Sequence, residues 1–175
     1  MIYDVSYAAD DLDDFVDFCN SAGFKRAISV GRRTGGSAER GMLSEYEYIR
    51  TSRFLKDINL YKKIKDISTK LNIWEYVLVH YILQLQPTDF LDLQDCWNEK
   101  SGYKPVGKFF SIALTKGNYI TIADKLYKVP QYHAIEFSPT KLHKISTVSS
   151  KQTWLVYMIP NHLNVLSSNI QINSE

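Results

Sequence analysis

Tyr132-His-Ala-Ile-Glu-Phe-Ser-Pro-Thr-Lys-Leu-His143-Lys-Ile-Ser-Thr-Val148, followed at once by Ser-Ser-Lys-Gln-Thr-Trp154-Leu-Val-Tyr-Met-Ile159, is the stretch that decides the fold. It reads as three short strands with tight links: Tyr132 to Phe137, Leu142 to Val148 and Thr153 to Ile159. One histidine, His143, sits where a metal-binding fold would want one. Upstream, Phe109 to Leu114 and Tyr119 to Ala123 have the same length and the same punctuation, with Lys-Gly-Asn, Pro or Ser-Pro-Thr between segments. Trp74 to Leu85 is a longer apolar and aromatic run cut by Pro87. Short strands with evenly spaced turn signals predict a sandwich, barrel or jelly roll.

The first half of the chain has a different texture. Ile2, Val5 and Tyr7 alternate weakly, as an edge strand does. Asp10 or Asp11 then caps a helix with Leu12, Phe15, Val16, Phe18 and Cys19 on one face and Gly23 as its stop. The run Asp10-Asp11-Leu-Asp13-Asp14 suits a helix start, where carboxylates meet the positive end of the dipole, better than a calcium loop. Phe24 to Val30 alternates as a strand. Gly31 to Ser37 reads as a loop, and no Lys-Ser/Thr follows to make it a phosphate cradle. Asp57 caps a second helix reaching about Asn72, with Ile58, Tyr61, Ile64, Ile67 and Leu71 on its apolar face. Lys62, Lys63, Lys65, Asp66 and Lys70 form a solvated opposite face. Two helices ahead of a sheet give an α+β layout in which the helices brace one face.

Composition narrows the function classes. The 175 residues suffice for one domain with a sizeable core. We place that domain at residues 1–160, with 161–175 as a polar tail or partner-binding strand. A net charge of +2 supplies no field to draw the chain onto nucleic acid or an anionic membrane. The 12 tyrosines favour an interface or tyrosine-rich surfaces. Cys19 and Cys96 lack the spacing of a disulfide framework or a zinc knuckle, and read as reduced thiols. The start Met-Ile-Tyr-Asp-Val carries no signal-peptide pattern, so the expected location is the cytoplasm or an assembled particle. His133 and Glu136 fall on opposite faces of one strand and form no acid–base pair. Tyr132, Trp154 and Tyr157 are candidate walls of a small-ligand pocket, although core positions suit them too.

The order helix, strand, loop, helix and then some eight strands resembles the iron(II)/2-oxoglutarate-dependent dioxygenases, in their prolyl-4-hydroxylase-like branch. The resemblance covers roughly residues 10 to 160. Arg50-Thr-Ser-Arg-Phe-Leu55 looks like the stretch before that family's second helix. Gln86-Pro-Thr-Asp-Phe-Leu-Asp-Leu-Gln-Asp-Cys-Trp97 looks like the segment bringing in the first two metal ligands. Phe137 to Val148 is similar to the strand and turn that carry the last one. The resemblance implies a double-stranded β-helix, a jelly roll, with two N-terminal helices packed against it.

It also implies a site. Family members hold iron with two histidines and a carboxylate, leaving positions open for cosubstrate and oxygen. Alignment on Asp89-Phe90 puts Gln94 at the first histidine and Cys96 at the carboxylate. A shift of one residue gives Leu93 and Asp95, and neither register yields His-x-Asp. His80 has no acid two residues later. His143 matches the distal histidine. Thr153 falls where a basic residue would clamp 2-oxoglutarate, with Lys151 two positions earlier as a substitute point charge. From these positions we expect a catalytically silent dioxygenase-fold protein, without cofactor, acting through protein–protein contacts in an oligomer or larger assembly such as a viral particle. The alternative is an active oxygenase in which His143 with Asp95 or Cys96 holds iron(II) and Lys151 holds 2-oxoglutarate.

Overall fold

The computed structural model describes residues 1–31, 42–50, 56–73, 79–93, 108–138, 141–145 and 149–159. Its helices form where the apolar spacing placed them, with two differences in detail. Helix α1 (Ala9–Ala22) begins earlier than Asp10 or Asp11 as a cap would allow. Its N-cap is Ala8, which supplies no side-chain oxygen, and Asp10 and Asp11 lie in the first turn instead. There they still meet the positive end of the helix dipole. Gly23, at φ +88°, ends the helix in a conformation that L side chains resist.

Helix α2 (Ile58–Lys70) is capped by Asp57, whose carboxylate accepts from the backbone N–H groups of Asn59 and Leu60. Its buried face is Leu60, Ile64 and Ile67, continued by Leu71, while Ile58 is 78% exposed. Counting from Ile58 starts the stripe two residues early. Leu60 is the first position turned inward. Lys63 and Lys70 are not merely solvated: they reach across to Asp14 and Asp11 of α1. Such surface pairs contribute little to stability, about 0–1 kcal/mol each.

Eleven strands among the described residues form two antiparallel sheets. They are β1 (Ile2–Asp4), β2 (Lys25–Gly31), β3 (Met42–Arg50), β4 (Val79–Leu85), β5 (Leu91–Leu93), β6 (Lys108–Ala113), β7 (Asn118–Ile122), β8 (Lys125–Val129), β9 (His133–Phe137), β10 (His143–Ile145) and β11 (Gln152–Ile159). The larger sheet runs β1-β9-β6-β11-β4-β3-β2 and the smaller β5-β10-β7-β8. This is the expected α+β jelly roll, in which the chain crosses repeatedly from one sheet to the other. Among the described residues no helix is long and apolar enough to cross a membrane. The positions Arg32 to Ser37, Gln94, Asp95, Cys96, Pro139, Thr140 and the tail 161–175 lie outside the described residues.

Side chains of β11 alternate between two cores, because successive residues of a strand point to opposite faces. Leu155, Tyr157 and Ile159 join Leu12, Phe15, Leu60 and Ile64 beneath the helices. Trp154 and Val156 join Ile120, Ile122 and Ile145 of the smaller sheet. The same alternation divides β6, with Phe110 and Ile112 toward the helices and Phe109 and Ala113 toward the other sheet. The central strands β6 and β11 of the larger sheet are therefore buried on both sides.

A polar seam closes one end of the sandwich. The Asn118 amide donates to the Thr153 carbonyl at 3.0 Å, and Thr153 N–H donates to the Thr115 hydroxyl at 3.0 Å. The Tyr119 backbone N–H donates to the Gln152 side chain at 3.1 Å, which ties the smaller sheet to the larger. At the crossing from β4 to β5, buried Asp89 accepts two bonds from Arg26, at 3.1 and 2.5 Å, and one from Gln86 N–H at 2.9 Å. Arg26 also meets Glu45 at 2.9 Å, and these carboxylates hold its guanidinium more firmly protonated than usual. This fork fastens the β2–β3 hairpin to the turn that hands the chain from one sheet to the other.

Candidate functional site

His143 opens β10, between β5 and β7, with its Cα opposite Leu93 on one side and Ile122 on the other. Its side chain is buried, and it points across the sandwich to the larger sheet. There Phe109 and Phe137, paired on neighbouring strands, receive it. The imidazole lies edge-on to Phe109 at 5.6 Å between centroids, and tilted against Phe137 at 5.1 Å. Nδ1 lies 2.9 Å from the Lys141 carbonyl. A carbonyl only accepts, so Nδ1 carries the proton in this bond.

A small cleft separates His143 from the larger sheet. Its walls include Tyr81, Leu83, Phe109, Ser111, Trp154 and Val156. The space amounts to about 20 Å³, enough for one water molecule. Drug-sized ligands occupy pockets of roughly 300–1,000 Å³. Trp154 is thus a wall of this space, as its sequence position suggested. Tyr157 is not: it lies on the opposite face of β11, where its hydroxyl bonds Ser68 at 3.0 Å and burial pushes its pKa up. Tyr132 is not either. Its hydroxyl donates to Asp13 at 2.6 Å, and that bond raises its pKa to about 12.

No family model matches this sequence, and no curated protein matches it. Solved structures do match. A viral collagen prolyl hydroxylase from Paramecium bursaria Chlorella virus-1, in its 2OG complex, is 10% identical, with 91% of this chain and 94% of that chain covered at a TM-score of 0.58. A prolyl-4-hydroxylase from Pseudomonas putida is also 10% identical, with 91% of each chain covered at a TM-score of 0.54. The fold is that of the prolyl-4-hydroxylases. At such identity the likeness carries the architecture and leaves the chemistry to the residues themselves.

Within the prolyl-4-hydroxylase fold, an iron(II) site asks for two imidazoles and a carboxylate converging on one face of the metal. Among the described residues bordering the cleft, His143 alone has a side chain of that kind; the others are aliphatic, aromatic or hydroxylic. Nor does any group of three or more His, Cys, Asp or Glu stand close enough to hold a metal ion among the described residues. This set does not fit iron(II). Gln94 and Cys96, the positions matched to the first two ligands, follow closely on Leu93 and lie outside the described residues. The fold does bring the strand that leads into them alongside His143.

The two clamp positions go elsewhere. Thr153 is fully buried, but on the helix-facing side of β11, where its hydroxyl donates to Gln84 at 3.2 Å. Gln84 in turn donates to Glu47 at 2.9 Å. Trp154 and Val156, on the other side of the strand, are the residues turned to the cleft. Lys151 precedes β11 and is exposed. The sequence reading missed Phe109, Phe137 and Ser111. Each lies on a recognisable strand, yet only the pairing of β6 with β9 and the packing of the two sheets bring them to His143.

Proposed function

We propose that this chain is a catalytically silent protein of the prolyl-4-hydroxylase fold, acting through protein–protein contacts as a structural or adaptor component. The observation that carries the reading is the environment of His143. The His143 imidazole, walled by Phe109, Phe137, Trp154 and aliphatic side chains, faces about 20 Å³ of space with no carboxylate or second imidazole on its wall among the described residues. Coordination must offset the desolvation of ion and ligands together, and one imidazole does not do so. Support for a contact role comes from the sheet edges. Exposed Ile2 sits on edge strand β1, and Leu126, 55% exposed, sits on edge strand β8. Edges that are unpaired among the described residues offer backbone groups to a partner chain. Assembly into a particle, or with further copies of the chain, belongs to the same proposal.

One observation favours the alternative of an active oxygenase with an altered metal site. A ligating imidazole commonly donates its other N–H to a backbone carbonyl, as His143 does to Lys141. Calorimetric titration of 2-oxoglutarate into the oxygen-free protein with iron(II) decides between them. We expect no heat of specific binding in the wild type or in His143→Ala. Micromolar affinity that disappears in His143→Ala would establish the oxygenase instead.

A further inference from the structure

The cleft beside His143 holds an unexplained donor. Trp154 is 1% exposed, and its indole Nε1–H is buried without a hydrogen-bond partner among the described residues. Indole N–H is a donor only, so it can be satisfied by an acceptor and by nothing else. Burying a donor unpaired costs free energy, and native interiors rarely tolerate it. Trp154 lines the same small cleft as Ser111, whose hydroxyl both donates and accepts. A space of about 20 Å³ lined by Trp154 and Ser111, with His143 and Tyr81 also on its wall, meets the size and partner requirements of one buried water.

We infer that the space which would receive a metal in this fold is instead a binding site for a single neutral water, accepting from Trp154 Nε1–H and held by the Ser111 hydroxyl. The indole presents the positive end of its dipole, which disfavours a cation at the same point. A small anion would meet the N–H, but it would sit against Leu83, Val156 and Phe109, where an unpaired charge is costly. A neutral acceptor of water size is what remains. The inference deepens the reading of a silent site and rests on it, because it fills the cleft without a metal.

Water-selective NOE and rotating-frame spectra of the full, nitrogen-15-labelled chain test it. The sign difference between the two separates a bound water from hydrogen exchange, and Trp154→Phe identifies the Trp154 indole resonance by its disappearance. The expected result is a cross-peak from the indole proton to a water that tumbles with the protein. In Ser111→Ala, which leaves the water one partner short, that cross-peak falls toward background. A wild-type indole proton with no such cross-peak would overturn the inference, as would a cross-peak unchanged in Ser111→Ala. The wild-type measurement stands alone should the variant fold poorly. Equimolar manganese(II), added as a paramagnetic stand-in, leaves the Trp154 resonance sharp. Broadening by manganese would overturn the silent-site reading as well, whereas a missing cross-peak without broadening would overturn the water site alone.

Discussion

The two faces of β11 make an instructive pair. Toward the helices, Tyr157 is fully buried and its hydroxyl is met by Ser68, which itself donates to the Ile64 carbonyl at 2.6 Å. Toward the smaller sheet, Trp154 is as deeply buried, yet its N–H meets no protein acceptor among the described residues and a small cleft lies beside it. One face is closed by side chains contributed from two helices; the other is closed by strands around a single histidine. The difference teaches that the helix-backed side is sealed by packed side chains with a paired hydroxyl, whereas the opposite side leaves a small cleft with mostly apolar walls beside His143.

The largest effect expected from this contrast is on the helix side. Phe15→Ala should cost about 3–5 kcal/mol in urea denaturation, since Phe15 is fully buried between α1 and the sheet. On the cleft side, Trp154→Phe should cost only about 1 kcal/mol, because a phenyl ring keeps most of the packing and the N–H it removes meets no protein acceptor among the described residues. Equal costs at the two positions would break the comparison.

The turn joining the sheets gives the next effect. Arg26→Ala leaves the Asp89 carboxylate, 3% exposed, with only the Gln86 N–H to meet it. The arginine itself is 44% exposed, so the cost is smaller than for a fully buried pair and shows as a modestly lowered midpoint in thermal denaturation. Asp89→Asn with Arg26→Ala should then cost less than the sum of the single changes.

Alkaline titration sharpens the contrast further. Burial raises the pKa of Tyr157, and the Asp13 bond raises that of Tyr132. A raised folded-state pKa contributes stability that is complete below the unfolded value near 10 and is lost as pH rises toward the folded value. Tyr157 therefore steepens the loss by up to about 1.4 kcal/mol per pH unit above pH 10, and Tyr132, near the solvent, adds less. Tyr157→Phe should flatten that slope, read as denaturation midpoints over a window of roughly one pH unit either side of the ordinary tyrosine value. Ala123 and Asp124 join β7 to β8 with φ of 48° and 69°, the two-residue turn that prefers asparagine and glycine. Ala123→Asn should stabilise by about 0.5–1 kcal/mol, the smallest change of the series.

Much of this architecture was legible because burial leaves a period. Strands β6, β7, β9 and β11 alternate or run apolar, and Asp57 announces α2 as a cap. Strand β8 was not legible. In Lys125-Leu-Tyr-Lys-Val129 only Val129 is buried, while Leu126 faces solvent on an edge, so the segment has no apolar face to read. Strand β3 was hidden for another reason. Its Glu45 and Glu47 look like surface charges until Arg26 on the neighbouring strand supplies their partner. The site divides the same way. His143 could be named from its motif, whereas the facing of Thr153 depends on which residues of β11 turn inward, and Phe109 and Phe137 reach the histidine only through sheet-on-sheet packing.

Iron content tests the central claim most directly. The protein should be purified without oxygen from cells supplied with excess iron(II), and metal per chain determined by elemental analysis after gel filtration. The account predicts iron far below one equivalent, unchanged by His143→Ala. About one iron per chain, lost in His143→Ala, would contradict it.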